Sequence, residues 1–130
     1  MYDKYLIVGE AFKNVVEGGQ VTGYQIGLRL PYYRGVVLSL VGETILTVDG
    51  ERAPAEAMTV TLRGKTYPKT QFEDEPVAKW EFGDIGIVTV AKPGGLKPGE
   101  HKVELRQQMK ISYVPGGFWG GDTKTLTLPG

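Results

Sequence analysis

The residues able to do chemistry in this chain are few and far apart. His101 is the only histidine and there is no cysteine, so any His-paired nucleophile must use this ring, and no thiolate is available. It sits between Glu100 and Lys102 at the start of a strand-like run, with no serine near it in a nucleophile setting. An ordinary histidine at a turn exit is the better reading. One histidine and no cysteine also give no basis for a zinc or iron site on this chain. The acidic stretch "QFEDEP" (Gln71 to Pro76) has carboxylates but lacks the spacing and central glycine of a calcium loop, and reads as a solvated loop. Glu81 and Asp84 would work as general acid and base only if a hairpin brought them face to face, and surface carboxylates lie near each other too often for that to weigh much. No glycine-rich segment follows a strand and opens a helix, so "PGG" is not a phosphate cradle. The expectation is no catalytic residue, no cofactor and no metal ligand on this chain.

The aromatic residues say more. Tyr32, Tyr33 and Arg34 stand together in "LPYYRG", and Phe118 and Trp119 in "PGGFWGG". Both stretches look like turns, and loops run over the surface. Adjacent strand residues point to opposite faces, so one core cannot take both tyrosines. Either these rings plug one end of the fold or they form an anchor patch, since Tyr, Trp and Arg are enriched where partners dock. Residue types alone leave these two readings even. Trp80 and Phe82, two apart in "KWEF", are expected on a strand, in a core or on a sheet face.

What must position these residues is a series of strands. In "HKVELRQQMKISYV", Val103, Leu105, Met109, Ile111 and Tyr113 alternate with Lys102, Glu104, Arg106, Gln108 and Lys110, and Gln107 is the one polar break on the apolar side. "GYQIGLRL" alternates in the same way through Tyr24, Ile26, Leu28 and Leu30. Asp49-Gly50 and Arg63-Gly64 read as tight turns, and Gly83-Asp84 as a further hairpin between "VAKWEF" and "IGIVTV". "KPGGLKPGE" is a long crossing loop, and "TKTLTL" supplies a terminal strand. Eight to ten short strands at this spacing, with no helical periodicity, predict an antiparallel β-sandwich of the immunoglobulin, fibronectin or jelly-roll kind. The alternative is a β-barrel, because alternation does not say whether the sheets close.

Composition bounds the partners. With 130 residues and 41% hydrophobic content the chain suits a single domain over residues 1–130. Fifteen basic and fifteen acidic residues cancel, which removes the electrostatic argument for nucleic acid or an anionic membrane. The opening "MYDKYLIVGEAF" has no basic region or cleavage site of a secretory signal, and no run nears the ~20 apolar residues of a membrane span. A cytoplasmic protein is expected.

Taken in order, "FKNVV…VTGYQIGLRLPYYRGVVLSLV", "VDGE", "KWEFGD", "KPGGLKPGEHKVEL" and "MKISYVP" resemble the small β subunit of bacterial C-glycoside deglycosidases. These enzymes cleave the carbon–carbon bond between a sugar and an aromatic aglycone. The likeness runs from Phe12 to Pro115, with "PYYRG" and "KPGGL.PGEH" its more specific parts; the tail "GGFWGGDTKTLTLPG" matches least. The resemblance implies a β-sandwich that binds and supports a larger α subunit similar to sugar-phosphate isomerases and epimerases, with a TIM-type barrel, in an αβ hetero-oligomer. That α subunit would hold a divalent metal, manganese, together with the acid–base residues. Its substrate would be a 3-oxo-C-glycoside, whose ketone acidifies the neighbouring C2–H so that the aglycone leaves from C1 by elimination. No catalytic residue carries over onto this sequence. Tyr32, Tyr33, Arg34, Phe118 and Trp119 would then be partner contacts. A carbohydrate-binding module and a purely structural assembly domain are the two competing readings.

Overall fold

Alternation decides the longest ladder. In a computed structural model, which describes residues 6–31, 35–110 and 117–128, the central strand runs from Gly99 to Met109 and buries every odd residue from 101 to 109 while the even ones face outward. The strands are β1 (Ile7–Glu17), β2 (Gln20–Leu28), β3 (Val36–Val37), β4 (Val41–Val48), β5 (Glu51–Arg52), β6 (Met58–Leu62), β7 (Lys65–Pro68), β8 (Lys79–Trp80), β9 (Gly86–Ala91), β10 (Gly99–Met109) and β11 (Phe118–Leu128). All their pairings are antiparallel.

Five strands make one sheet in the order β1-β2-β9-β6-β7, and four make a second in the order β11-β10-β4-β5. A two-stranded ribbon, β3-β8, stands apart from both. Ile26, Met58, Val60, Val88 and Val90 of the first sheet share one core with Leu46, Val48, Val103, Leu105 and Met109 of the second. The fold is a β-sandwich, and among the described residues no ladder closes it into a barrel. One side is tied where the backbone N–H of Ile7 donates to Asp122 and Lys124 Nζ donates to the Ile7 carbonyl, joining β1 to β11.

The two-residue hairpin loops fall where the turn chemistry places them. Asp49 and Gly50 join β4 to β5, Arg63 and Gly64 join β6 to β7, and all four take positive φ. That conformation matches the twist of the flanking strands and is cheap for glycine.

Three expectations change. "VAKWEF" and "IGIVTV" are not a hairpin, because β8 pairs with β3 and β9 pairs with β2 and β6. Phe82 therefore lies in a turn after β8, not on a strand, while Trp80 is buried in the core. Phe118 and Trp119 are not in a turn either: β11 begins at Phe118 and pairs with β10 along its whole length. Ladder hydrogen bonds to a long partner outweigh the weak strand propensity of Gly120 and Gly121. "QFEDEP" belongs in part to a short 3-10 turn, Lys69–Asp74, that drops Phe72 into the core and leaves Glu73 and Asp74 in solvent. Tyr32, Tyr33, Arg34, Ile111 and Tyr113 lie outside the described residues, as does the side chain of Phe118.

Candidate partner interface

The registers sort the loops into two ends. Ile7, Leu28 and Gly86 pair at one end of the first sheet, and Val41, Met109 and Phe118 at the matching end of the second. Though its strands pair with neither sheet, the β3-β8 ribbon and the 3-10 turn Leu38–Leu40 after β3 bridge these two sets, since the Trp80 indole lies against Gly86 and the Lys110 N–H donates to the Leu40 carbonyl. A Cβ on Gly86 would sit 2.5 Å from Trp80 Cζ2, so glycine there is what admits the indole. We refer to this as the loop end.

Each turn of the loop end is held from below. The Trp80 indole N–H donates to the Asp84 carbonyl at 2.9 Å, and the Asp84 N–H donates to the Glu81 carbonyl at 3.0 Å. Arg63, at the tip of the β6-β7 hairpin, donates to the Asp84 carboxylate and, at 2.8 Å, to the Lys79 carbonyl. Asp84 is thus engaged by Arg63 and by the Glu81 N–H, so the structure makes it a turn brace and not half of an acid–base pair with Glu81. The Glu75 carboxylate accepts from the N–H groups of Ala78 and Val77 at 3.0 and 3.1 Å, and these bonds hold its pKa below the usual value. Leu38 and Ser39 donate to the carbonyls of Ala78 and Glu75.

What these braces present is apolar. Val77 is 78% exposed and Phe82 58%, with Leu40 and Ile85 also standing out in solvent. Trp119 is partly exposed at the start of β11, and the Arg106 guanidinium lies 4.8 Å from its ring centroid. Among the described residues six large apolar side chains are exposed, and only Val16 lies away from this end. Lone exposed apolar residues are ordinary, but their gathering on braced turns makes this end the candidate for an interaction surface. Of the residues singled out by sequence, Trp119 is placed here directly. Tyr32, Tyr33 and Arg34 belong to the segment between Pro31 and Gly35, outside the described residues. Leu40, Val77 and Ile85 were missed. The one signal was the crowded run "VVLSLV", which holds more apolar residues than a single face of two short strands can bury.

The opposite end is built from polar clamps. His101 is buried; its Nδ1 lies 2.6 Å from Asp49 Oδ2, its Nε2 lies 2.6 Å from the Lys97 carbonyl, and its ring meets Phe12 edge-on at 6.0 Å. Both ring nitrogens face acceptors, so the imidazolium satisfies the site best. Burial works against that charge, but the bonds to Lys97 and Asp49 outweigh it and hold the His101 pKa above its ordinary value. The bond from His101, followed by that from the Lys102 N–H, holds Asp49 below the usual carboxylate range. Asn14 ties down the crossing loop as well, donating to the Leu96 carbonyl and accepting from the Leu96 N–H, both at 2.9 Å. With both nitrogens committed, His101 is a strap and has no free lone pair for general-base work. Among the described residues no three of His, Cys, Asp or Glu gather where they would hold a metal ion. Among the described residues no helix is long and apolar enough to cross a membrane.

Comparison with known proteins points the same way as the sequence motifs. A family model described as C-glycoside deglycosidase beta subunit matches residues 2–113. A C-glycoside deglycosidase beta subunit from Eubacterium cellulosolvens is 32% identical over 114 residues, which cover 87% of this chain and 78% of that protein. One from Arthrobacter globiformis is 31% identical over 93 residues, 71% of this chain and 70% of the relative. A 3'-dehydrocarminate deglycosidase beta subunit from a Microbacterium species is 28% identical over 95 residues, 72% of this chain and 70% of its own length. The family match ends before β11 begins.

Proposed function

The chain belongs to the C-glycoside deglycosidase beta subunit family, and from that premise we propose that it is the accessory subunit of such an enzyme, docking a larger α subunit through the loop end. The observation that carries this reading is the set of exposed apolar residues, Leu40, Val77, Phe82 and Ile85, held out on braced turns. Turns fixed before binding lose little further entropy on association, and apolar side chains on them supply the burial that a lasting subunit contact needs. Tyr32, Tyr33 and Arg34 extend the same contact on sequence grounds, with Trp119 and Phe118 at its margin. The Arg106 guanidinium over Trp119 makes that ring a poor open platform for stacking a sugar, which counts against a carbohydrate-binding module.

In this reading the chemistry belongs to the partner: a TIM-type barrel with a divalent metal, manganese, and its own acid–base groups. A metal there would serve as a Lewis acid for the ketone of a 3-oxo-C-glycoside, while a partner base would take the C2 proton and the C1–aglycone bond would break with the aglycone carbon taking up a proton, which would make the complex a carbon–carbon lyase. The Microbacterium relative, named for a 3'-dehydro substrate, lends support to an oxidised sugar. The test is co-expression with an isomerase-like α subunit encoded nearby, followed by co-purification and assay on a 3-oxo-C-glycoside. The pair should elute together and turn over, and the isolated chain should not. Robust turnover by this chain alone, or no association with that subunit, overturns the reading.

A further inference from the structure

A cleft of about 310 Å³ opens where the Lys69–Asp74 turn crosses the second sheet, lined by Gly42, Lys69, Thr70, Phe72, Gln108 and Lys110 among others. A β-bulge shapes it. Gln107 pairs with Thr44 and Met109 with Val41, so Gln108 alone faces two residues of β4, Gly42 and Glu43. The bulge frees the Gly42 carbonyl to accept from Lys69 Nζ at 2.8 Å, and the Gln107 amide approaches the same oxygen at 3.4 Å. Behind the lining, Gln107 is only 2% exposed and its amide is satisfied by Thr44, Gly42 and Gln108, so a fixed polar network holds the Gly42 carbonyl in place.

The lining carries two cations, Lys69 and Lys110, and two carboxylates, Glu43 and Glu73, but both carboxylates are turned to cations other than Lys69. Glu43 pairs with Arg52 at 3.5 Å and Glu73 with Lys110 at 3.2 Å, which leaves Lys69 with no ion pair among the described residues. Its ammonium rests on a carbonyl oxygen and 4.8 Å from the centroid of the Phe72 ring. A half-buried cation with two N–H groups still to place, beside a second lysine and the Thr70 hydroxyl, is complementary to a small anion. We propose that this cleft binds a compact oxyanion, a carboxylate or phosphate group, with Lys69 as its principal ligand and Lys110 at the rim.

Burial, helped by the charge of Lys110 and opposed by Glu43 and Glu73, pushes the Lys69 pKa down to about 8. An anion in the cleft would give Lys69 a counter-charge and hold its proton to higher pH. The titratable groups facing Lys69 are Glu73 on its own turn, Glu43 on β4 and Lys110 after β10. Occupancy should therefore weaken as pH rises past 8 and Lys69 loses its proton.

The test is titration of the full chain with sodium phosphate and with sodium acetate, against sodium chloride at matched ionic strength, read by calorimetry and by thermal melting. At least one oxyanion should bind saturably and raise the Tm beyond the chloride control. Lys69→Met, which keeps the packing on Phe72, should weaken that binding about tenfold or more. Acylation of Lys69 in the unmodified protein, followed by peptide mass spectrometry, should slow in the binding anion, a readout that needs no variant to fold. No saturable binding beyond chloride, unchanged affinity in Lys69→Met, or acylation indifferent to the anion overturns the proposal.

Discussion

The two ends of the sandwich solve the same problem in opposite ways. Both must finish strands that carry unpaired backbone groups and rings beside a single core. At the strapped end, side chains reach into the loops and close them: His101 and Asn14 fasten the crossing loop, and Asp49 binds both His101 and the Lys102 N–H. At the loop end the bracing is as thorough, but it sits beneath the surface, and the outward face is Val77, Phe82, Leu40 and Ile85. Bracing alone does not distinguish an interface from a finished surface. What a braced turn shows to water does.

The comparison breaks first if the loop end loses its support. Trp80→Ala removes a fully buried indole and its bond to the Asp84 carbonyl, and should destabilise the chain by about 3–5 kcal/mol in denaturant unfolding. A loss near zero would show that the ribbon is not tied to the core. The next effect is on association. Leu40→Asp with Val77→Asp should cost about 2 kcal/mol or more of α-subunit binding, read by titration calorimetry. The same pair should leave the unfolding midpoint within about 0.5 kcal/mol, as surface changes do. The reverse outcome, lower stability with intact binding, would make this face a cap. Tyr32→Ala and Tyr33→Ala belong to the same test, and at least one should behave as the Asp pair does.

Smaller effects lie at the strapped end. Asn14→Ala deletes two hydrogen bonds to Leu96 and leaves their backbone partners on the crossing loop without them, for a loss of about 1–3 kcal/mol. α-subunit binding should not change. A drop in affinity equal to that of the Asp pair would erase the distinction between the ends.

The least of these effects is pH dependence. The folded His101 pKa stands above its ordinary 6.5, so its contribution is complete below that value and fades as pH climbs through the folded pKa. Asp49 works in the other direction: its folded pKa is lowered from 3.8, so its contribution holds above that value and is lost as pH falls through the folded pKa. Melting temperature measured against pH should decline on the alkaline side in the unaltered protein, and His101→Gln should remove that decline. An identical profile in the variant would show that His101 carries no extra proton in the fold.

Period-two alternation determined an antiparallel β fold and the inward rows of β2 and β10, because a strand exposing one face and burying the other must write that choice at every second residue, whereas sandwich over barrel was decided only by the tertiary structure. Asp49-Gly50 and Arg63-Gly64 were legible for an equally local reason, since positive φ is a property of two residues and their turn. The motifs pointed to the family. The sequence could not place Phe82, because period two in "KWEF" continues past the point where β8 stops pairing. It could not distinguish β11 from a glycine turn, since the ladder to β10 is supplied by residues nine or more positions away. Gln107 read as a flaw in an apolar row, and only folding brings Thr44 and the Gly42 carbonyl to its amide. His101 looked idle at a turn exit until folding brought Asp49 and the Lys97 carbonyl to its two nitrogens. Local geometry is written in neighbours. Which polar groups meet, and which apolar groups stay outside, is decided by strands distant in sequence, and only the tertiary structure brings them together.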